Sequence, residues 1–480
     1  MPTPRVFSHR PDFRRLNFGS ASAEDEGASY PDLLLKGFYD VDGITEEAAT
    51  GTRFLVLGYK GSGKSAVGER LRLLSVHSES LFVRSVVLGD FPFSKFSRIV
   101  SSNEPTEAES NYPGVWKWLL LLQLLQSLSE DSGAKDVPEL NKAISGLKRA
   151  GLLPSDSLQH LVLQSVKTGI TAKALEYLNL AMEREYKPSE LGILDYVEYL
   201  LGLLKHWQTP NRHILVIDGL DDILSLKNLQ YQILAALVLA AQRLNAFFQQ
   251  NTLPVKIAIM CRTDLFTRLP GPNTNKLRQD SAIELNWYHD PSEPGQSKLV
   301  ALANHRANVS DSRVSDLFDS FLPRTIGKRP IHAFLADHTR HTPRDFLRLL
   351  AFIQKCSHDK GVDADSVLKG IRDYSGGYFL PELKNELVGV ASPAQADNMF
   401  GLLGALRRRE FTLHDLKLAA EREVFDVDVN QMVRVLFDCS AIGNKQTDHY
   451  WFKYRNPYST VNLEERFVLH PGLWRAFNLV

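Results

Sequence analysis

Gly58-Tyr59-Lys60-Gly61-Ser62-Gly63-Lys64-Ser65 satisfies the spacing G-x-x-x-x-G-K-[ST] at every fixed position. The apolar run Phe54-Leu55-Val56-Leu57 directly precedes it, and the helix-compatible stretch Ala66–Leu74 follows. A buried strand that stops, a curl of small residues and a helix N-terminus together make a cradle of inward-facing N–H groups carrying partial positive charge. The pattern therefore predicts binding of a nucleoside triphosphate. Gly58, Tyr59, Lys60, Gly61, Ser62, Gly63, Lys64, Ser65 and Ala66 are the expected nucleotide-holding residues. Lys64 is expected to neutralise the β- and γ-phosphates, and Ser65 to hold Mg²⁺.

Outward from that loop, apolar runs predict strands at Leu81–Leu88, Ile214–Ile217, Val255–Met260 and Ala282–Leu285, with a long helix over Asn228–Gln249. Alternating strands and helices imply a parallel sheet with helices on both faces and ligands at the carboxyl ends of the strands. Between the second and third strands, Ser94–Pro210 shows helical periodicity in Val115–Leu128, Glu139–Leu147, Thr171–Tyr186 and Leu191–Trp207, which reads as a helical insertion. From Pro291 the chain reads as all-helical, with helices at Lys298–Ala307, Arg313–Phe321, Pro343–Cys356 and Asp363–Tyr374. The last segment combines helices at Phe400–Arg408, Leu413–Arg422 and Val429–Cys439, a capping pair Thr412/Asp415, a strand over His449–Arg455, a return strand Arg466–Leu469 and a closing helix Pro471–Phe477. Three helices and a hairpin spell a winged helix.

The expected fold is α/β: a parallel-sheet P-loop NTPase core with a large helical insertion, a helical lid and a C-terminal winged helix. The expected domains are an N-terminal lead-in over residues 1–50 packed on the nucleotide domain, the NTPase domain over 51–290 with its insertion at about 94–210, the lid over 291–392 and the winged helix over 393–480.

Four further residues carry candidate chemistry. Ile214-Leu215-Val216-Ile217-Asp218 ends a strand, expected beside the loop's own strand, in a carboxylate that would reach the Mg²⁺. Ser65 and Asp218 are thus the metal-side pair. Gly219 follows, so no glutamate adjoins Asp218 to orient an attacking water, which points to slow hydrolysis. Asp222 is the expected substitute, with a helix N-terminus that favours acids as the plain alternative. Arg262, at the end of the next strand, is expected beside the transferring phosphate, and Arg278 is a weaker candidate for a finger reaching a neighbouring molecule. Arg344 falls in the first turn of the helix beginning Thr342-Pro343, where a cation opposes the helix dipole. That misfit suggests a nucleotide phosphate as its partner, with an acid such as Asp345 as the alternative.

The chain has 480 residues, 44% hydrophobic and 23% charged, and suits roughly two to four soluble domains. Lys+Arg and Asp+Glu both number 56, so any binding of nucleic acid must be local. Cys261, Cys356 and Cys439 lie far apart without metal-ligand spacing, which fits a reducing cytoplasm rather than a disulfide framework or zinc site. Met1–Arg15 lacks the apolar core of a secretory signal, and Trp116–Leu125, the most apolar stretch, is too short to span a bilayer. A cytoplasmic location is expected.

With these residues in place, the chain resembles the additional-strand P-loop ATPases, above all their switch-like STAND branch with its NACHT and NB-ARC relatives. The resemblance is carried by Gly58–Ser65, by the acid-Gly-x-acid-acid pattern Asp218-Gly219-Leu220-Asp221-Asp222, by Arg262, by the helical lid and by the winged helix. The chain also looks like a bacterial P-loop ATPase family of unassigned role that shares the loop Gly-Tyr-Lys-Gly-Ser-Gly-Lys-Ser and a Phe-Gly…Ala-Glu-x-Glu lead-in, here Phe18-Gly19 to Glu26. Unlike many STAND proteins, it shows no repeat sensor after the winged helix and no effector domain. The resemblance implies ATP rather than GTP, held with Mg²⁺ between core and lid, with Arg344 and the winged helix reporting the nucleotide state. It also implies a nucleotide-dependent switch or scaffold of bacterial regulation or antiphage defence. The alternative resembles origin-recognition initiators, which control DNA binding by ATP. The expected partners are ATP or ADP, other proteins or a second copy of the chain, and DNA through the winged helix in the alternative, with no membrane.

Overall fold

The computed structural model describes residues 11–89, 91–99, 105–154, 157–159, 161–162, 193–220, 228–271, 274–290, 297–358, 361–388, 390–423, 428–447 and 449–479. The expected helix Thr171–Tyr186 lies outside them. The chain divides into two compact units, one formed by residues 42–60 and 64–285, the other by 1–41, 61–63 and 286–480.

The first unit is built on a five-stranded sheet. Its strands are β1 (Leu55–Gly58), β2 (Leu81–Val87), β3 (Arg212–Asp218), β4 (Val255–Arg262) and β5 (Ala282–Glu284), in the order β2-β3-β4-β1-β5. Every pairing is parallel. The continuous apolar runs that marked these strands are buried on both sides, as parallel sheets require: Leu55, Val56, Leu57, Leu215, Ile217, Ile257 and Ile259 are all inaccessible to solvent. β3 is not the neighbour of β1, as the sequence reading had it. β4 lies between them, a non-local pairing that strand hydrophobicity does not encode.

Helices Lys64–Val76, Pro105–Ser129 and Asn228–Gln250 pack against this sheet or one another. Trp116 is wholly buried, stacks on Phe91 at 4.9 Å and donates its indole N–H to Ile233 O at 2.8 Å. Asn228–Gln250 contains a stretch, Leu229–Gln250, that is long and apolar enough to cross a bilayer by length and composition, yet Ile233, Leu237, Ala240, Leu244 and Phe248 belong to the core cluster. A polar pin ties the end of helix Pro105–Ser129 to β3. Buried His213 donates from Nε2 to Asp131 at 3.1 Å and accepts at Nδ1 from Ser127 at 2.9 Å, and burial lowers its pKa so that the ring stays neutral.

The second unit joins the lead-in to the C-terminal half. Residues 11–41 of the expected lead-in belong to this unit, whereas 42–50 belong to the first, where helix Ile44–Thr50 packs on helix Lys64–Val76. Arg306 donates to both oxygens of Glu26, at 2.9 and 2.7 Å, and to Phe18 O at 2.9 Å. Gly19 is forced by this ion pair: at φ +89°, a Cβ there would stand 1.9 Å from Glu26 Oε2. Gln354 Nε2 ties the same segment down by donating to Phe13 O and Leu16 O.

The helix at Pro343–Cys356 starts where its Thr-Pro signature placed it, with Thr342 Oγ1 accepting from Asp345 N at 3.2 Å. The segment expected to be all-helical also holds a two-stranded hairpin, β6 (Thr325–Ile326) and β7 (Arg329–Pro330), turned at Gly327 with φ +59°. The last segment has helices Pro393–Ala405, Leu413–Arg422 and Val429–Asp438. Beside them is an antiparallel sheet of β8 (Glu410–Phe411), β9 (Ile442–Gln446), β10 (His449–Trp451) and β11 (Arg466–Leu469), in the order β10-β9-β11-β8. This is the element order of a winged helix. Thr412 and Asp415 form a complete capping box. β10 ends at Trp451, before Lys453 and Arg455, which the sequence pattern had placed in the strand.

Candidate functional site

The loop after β1 has the shape its residues dictate. Gly61 and Gly63 take φ of +80° and +98°, a region that L side chains rarely enter, and helix Lys64–Val76 starts immediately behind them. Gly68 lets that helix approach β3 closely, since a Cβ there would be 3.0 Å from Val216 Cγ1. Lys64 is 3% exposed, and its ammonium donates to Tyr59 O at 3.3 Å, back across the loop. Ser65, half-buried, is the helix's second residue. A Cβ built at Gly63 would meet nothing within 4 Å, so the tip borders open space. Ser62 Oγ is buried and finds no hydrogen-bond partner among the described residues. An open curl, an unpartnered hydroxyl and an ammonium resting on a carbonyl are the donor set that a polyphosphate with Mg²⁺ would take, so the residues present fit that ligand.

Asp218 closes β3, half-buried, and accepts from Gly219 N at 2.7 Å. Gly219, at φ +78°, leaves no room for a side chain: a Cβ would lie 2.6 Å from Val87 Cγ1 and 2.9 Å from Leu88 N. The missing glutamate beside Asp218 is thus a requirement of this backbone. Asp222, the expected substitute, lies outside the described residues.

Arg262 ends β4 directly opposite Gly58, the first glycine of the loop. It is 5% exposed and gripped by its neighbour, donating to Asp264 from Nε at 2.9 Å and Nη2 at 2.7 Å. Burial pushes the Asp264 carboxyl up, but the Arg262 charge and hydrogen bonds outweigh it and hold the pKa below its usual value. Any phosphate contact by Arg262 has to compete with this bidentate pair. Arg278 is similarly engaged with Glu284, at 2.6 and 3.0 Å, which counts against a finger reaching another molecule.

In the second unit, Arg344 N donates to Gly61 O at 3.3 Å, while its guanidinium reaches Glu382 at 3.4 Å. Asp345, the alternative partner weighed for Arg344, belongs to Arg340 instead, through bonds of 2.8 and 3.1 Å, and also accepts from Tyr378 OH at 3.0 Å. Burial raises the Asp345 pKa and the Arg340 guanidinium lowers it further, so the carboxylate stays ionised.

No family model matches the chain, and no curated protein does. Among solved structures, the chain is similar to the Orc1 protein of Aeropyrum pernix in complex with DNA, at 13% identity, with 94% of this chain and 92% of that one covered and a TM-score of 0.38. It is also similar to Cdc6p from Pyrobaculum aerophilum, at 10% identity, with 96% and 95% covered and a TM-score of 0.24. At such TM-scores the fold rests on this chain's own sheet order and loop.

Sequence reasoning missed Trp287. Its indole N–H donates to Ser62 O at 2.8 Å, and the ring is 8% exposed. A Trp-Tyr pair just beyond the fifth strand was the one available hint, and nothing in its spacing names a partner.

Proposed function

We propose that this protein is an ATP- and Mg²⁺-binding P-loop ATPase acting as a nucleotide-dependent switch or scaffold. The observation that carries the reading is the loop Gly58–Ser65 itself, curled by two positive-φ glycines between a buried strand and a helix, with Lys64 folded onto Tyr59 O. In this reading the amides of Gly58–Ala66 and the Lys64 ammonium hold the phosphates, and Ser65 and Asp218 hold the metal. Mg²⁺ when bound supplies charge neutralisation on the phosphate oxygens. Asp222 is the water-polarising acid, and Arg262 and Arg344 respond to the nucleotide once released from Asp264 and Glu382. Slow turnover follows from a backbone that excludes a glutamate at Gly219. A switch needs ligand contacts that differ between two states, and phosphate bound at Lys64 supplies them. Protein partners or self-association in the cytoplasm of a bacterial regulatory or defence system complete the proposal.

The test is calorimetry and phosphate release on the full chain. Lys64→Ala should abolish ATP binding, whereas Asp218→Asn should spare some binding and lose Mg²⁺-dependent turnover. Retained ATPase in either variant would contradict the assignment.

A second reading, ATP-controlled DNA binding, is favoured by the wing strand β10, where Tyr450 and Trp451 are 41% and 38% exposed. Two basic residues just beyond that strand are engaged: Lys453 donates to Ser459 O, and Arg455 lies over the rings of Tyr288, Phe452 and Tyr454. Salt-dependent duplex binding lost in a Tyr450→Ala/Trp451→Ala double variant supports this reading. Absence of any salt-dependent binding removes it.

A further inference from the structure

Within the second unit, two contact routes leave the tip of the phosphate loop and end on one ring. The first starts at Gly61, whose carbonyl accepts from Arg344 N at 3.3 Å. A Cβ at Gly61 would stand 3.1 Å from Arg344 Cβ and 3.2 Å from Thr342 Oγ1, so the tip rests on the start of helix Pro343–Cys356. The residue before Thr342 is His341. The second route starts one residue on, at Ser62, whose carbonyl accepts the Trp287 indole N–H at 2.8 Å. The residue after Trp287 is Tyr288, whose ring meets His341 edge-on at 5.1 Å.

His341 then stacks on Tyr454 of the winged-helix segment, at 5.2 Å and 18°. Tyr288 reaches Tyr454 as well, at 6.2 Å, and Phe452 stacks behind it at 5.5 Å. Arg455 lies over Tyr288, Phe452 and Tyr454 and pairs with Asp337 at 3.6 Å, which fixes the cluster from the other side.

Histidine is a costly residue for this place. His341 holds a left-handed φ of +52°, and neither ring nitrogen finds a hydrogen-bond partner among the described residues although the side chain is buried. Strained, unsatisfied residues persist where the surroundings over-determine them, and such places cluster at clamps and switches.

We infer that His341 is a positioning residue that couples the phosphate loop to the winged helix, so that nucleotide occupancy and winged-helix placement form one equilibrium. The inference rests on the reading of Gly58–Ser65 as a nucleotide site. A ligand that re-aims the Gly61 and Ser62 peptides shifts Thr342 and Trp287, and both displacements converge on the ring wedged between Tyr288 and Tyr454. Linkage makes the effect reciprocal: loosening the stack from the wing side alters nucleotide affinity.

The experiment is amide hydrogen exchange over β9, β10 and β11 of the full chain with and without Mg-ATP, alongside ATP titration calorimetry. In the wild type, ATP should change exchange in these strands. His341→Ala should still bind ATP but lose that change, His341→Phe, which keeps the stack, should retain it, and Tyr454→Ala should shift ATP affinity by about fivefold or more. The coupling is refuted if the wild type binds ATP with no response in the wing, or if His341→Ala transmits the response undiminished. Should His341→Ala fail to fold, an unresponsive wing in a folded His341→Phe, or unchanged ATP affinity in Tyr454→Ala, refutes it equally. Failure of the wild type to bind ATP would instead overturn the nucleotide reading, and the coupling with it.

Discussion

Replacing Gly219 by alanine tests whether the turn after Asp218 is as constrained as its geometry implies. A Cβ at this position would lie 2.6 Å from Val87 Cγ1, 2.9 Å from Leu88 N and 3.1 Å from Gly89 N. The valine can rotate away, but the two backbone nitrogens move only with the end of β2. Leu88 N donates to Asp218 O at 2.8 Å, and Leu88 is wholly buried, so such a movement breaks a bond that water cannot replace. Left-handed backbone costs a non-glycine residue roughly 1–2 kcal/mol. Losing the buried hydrogen bond costs roughly 1–3 kcal/mol more. Gly219→Ala should therefore destabilise the protein by about 2–5 kcal/mol. Urea unfolding, with the slope compared between variants, measures it. A change below about 0.5 kcal/mol, the range of an ordinary surface substitution, would refute the reasoning. Gly219→Glu sharpens the test, because it adds beside Asp218 the water-orienting carboxylate that the proposed ATPase site lacks. It should be at least as destabilised as the alanine variant and hydrolyse ATP no faster. A stable, accelerated Gly219→Glu would show that the turn tolerates a side chain its contacts leave no room for.

Two further outcomes concern stability. Glu26→Ala leaves the buried Arg306 guanidinium without its carboxylate and should cost about 3–5 kcal/mol in chemical denaturation; a loss under 1 kcal/mol, the order of an exposed pair, would mean the pair is solvated. Acid should also destabilise the fold. Burial, with the nearby charges of Arg475 and Arg329, pulls His338 down to about 4, and burial with Arg455 and His289 pulls His341 down to about 3, from an unperturbed 6.5. Both rings are neutral in the fold and take up protons more readily when unfolded, so their contribution is complete above the unfolded pKa and is lost as pH falls towards the folded values. Between pH 7 and 5 the unfolding free energy should drop by about 2 kcal/mol per histidine. Equal unfolding midpoints at the two pH values would rule this out.

The elements most legible in the sequence were those whose signal is local. The loop glycines, the apolar strand before them, the Thr342-Pro343 helix start and the Thr412/Asp415 cap all depend on residues within a few positions of one another. The bidentate grip of Asp264 on Arg262 is just as local, two residues apart, and was within reach of a reading that asked what a strand-end arginine pairs with first. What escaped is non-local. The placement of β4 between β1 and β3 is decided by crossover geometry. Trp287 finds Ser62 across 225 positions, a separation that no periodicity encodes. The departure of Lys453 and Arg455 from the wing strand reflects tertiary packing. The chain leaves the sheet after Trp451 so that Tyr454 can bury its ring against His341 and Tyr288, overriding the alternation that suggested a longer strand.

The union of Glu26 with Arg306 spans 280 positions and sets an order of events on the ribosome. At roughly 5–20 residues per second, the lead-in waits about 14–56 s for its arginine to be synthesised. Throughout that interval Phe13, Leu16 and Phe18, which end up buried, have no finished surface to settle on. The segment Phe13–Glu26 is thus among the last parts to find its place, and a nascent chain stalled before Arg306 exposes it to chaperones and proteases.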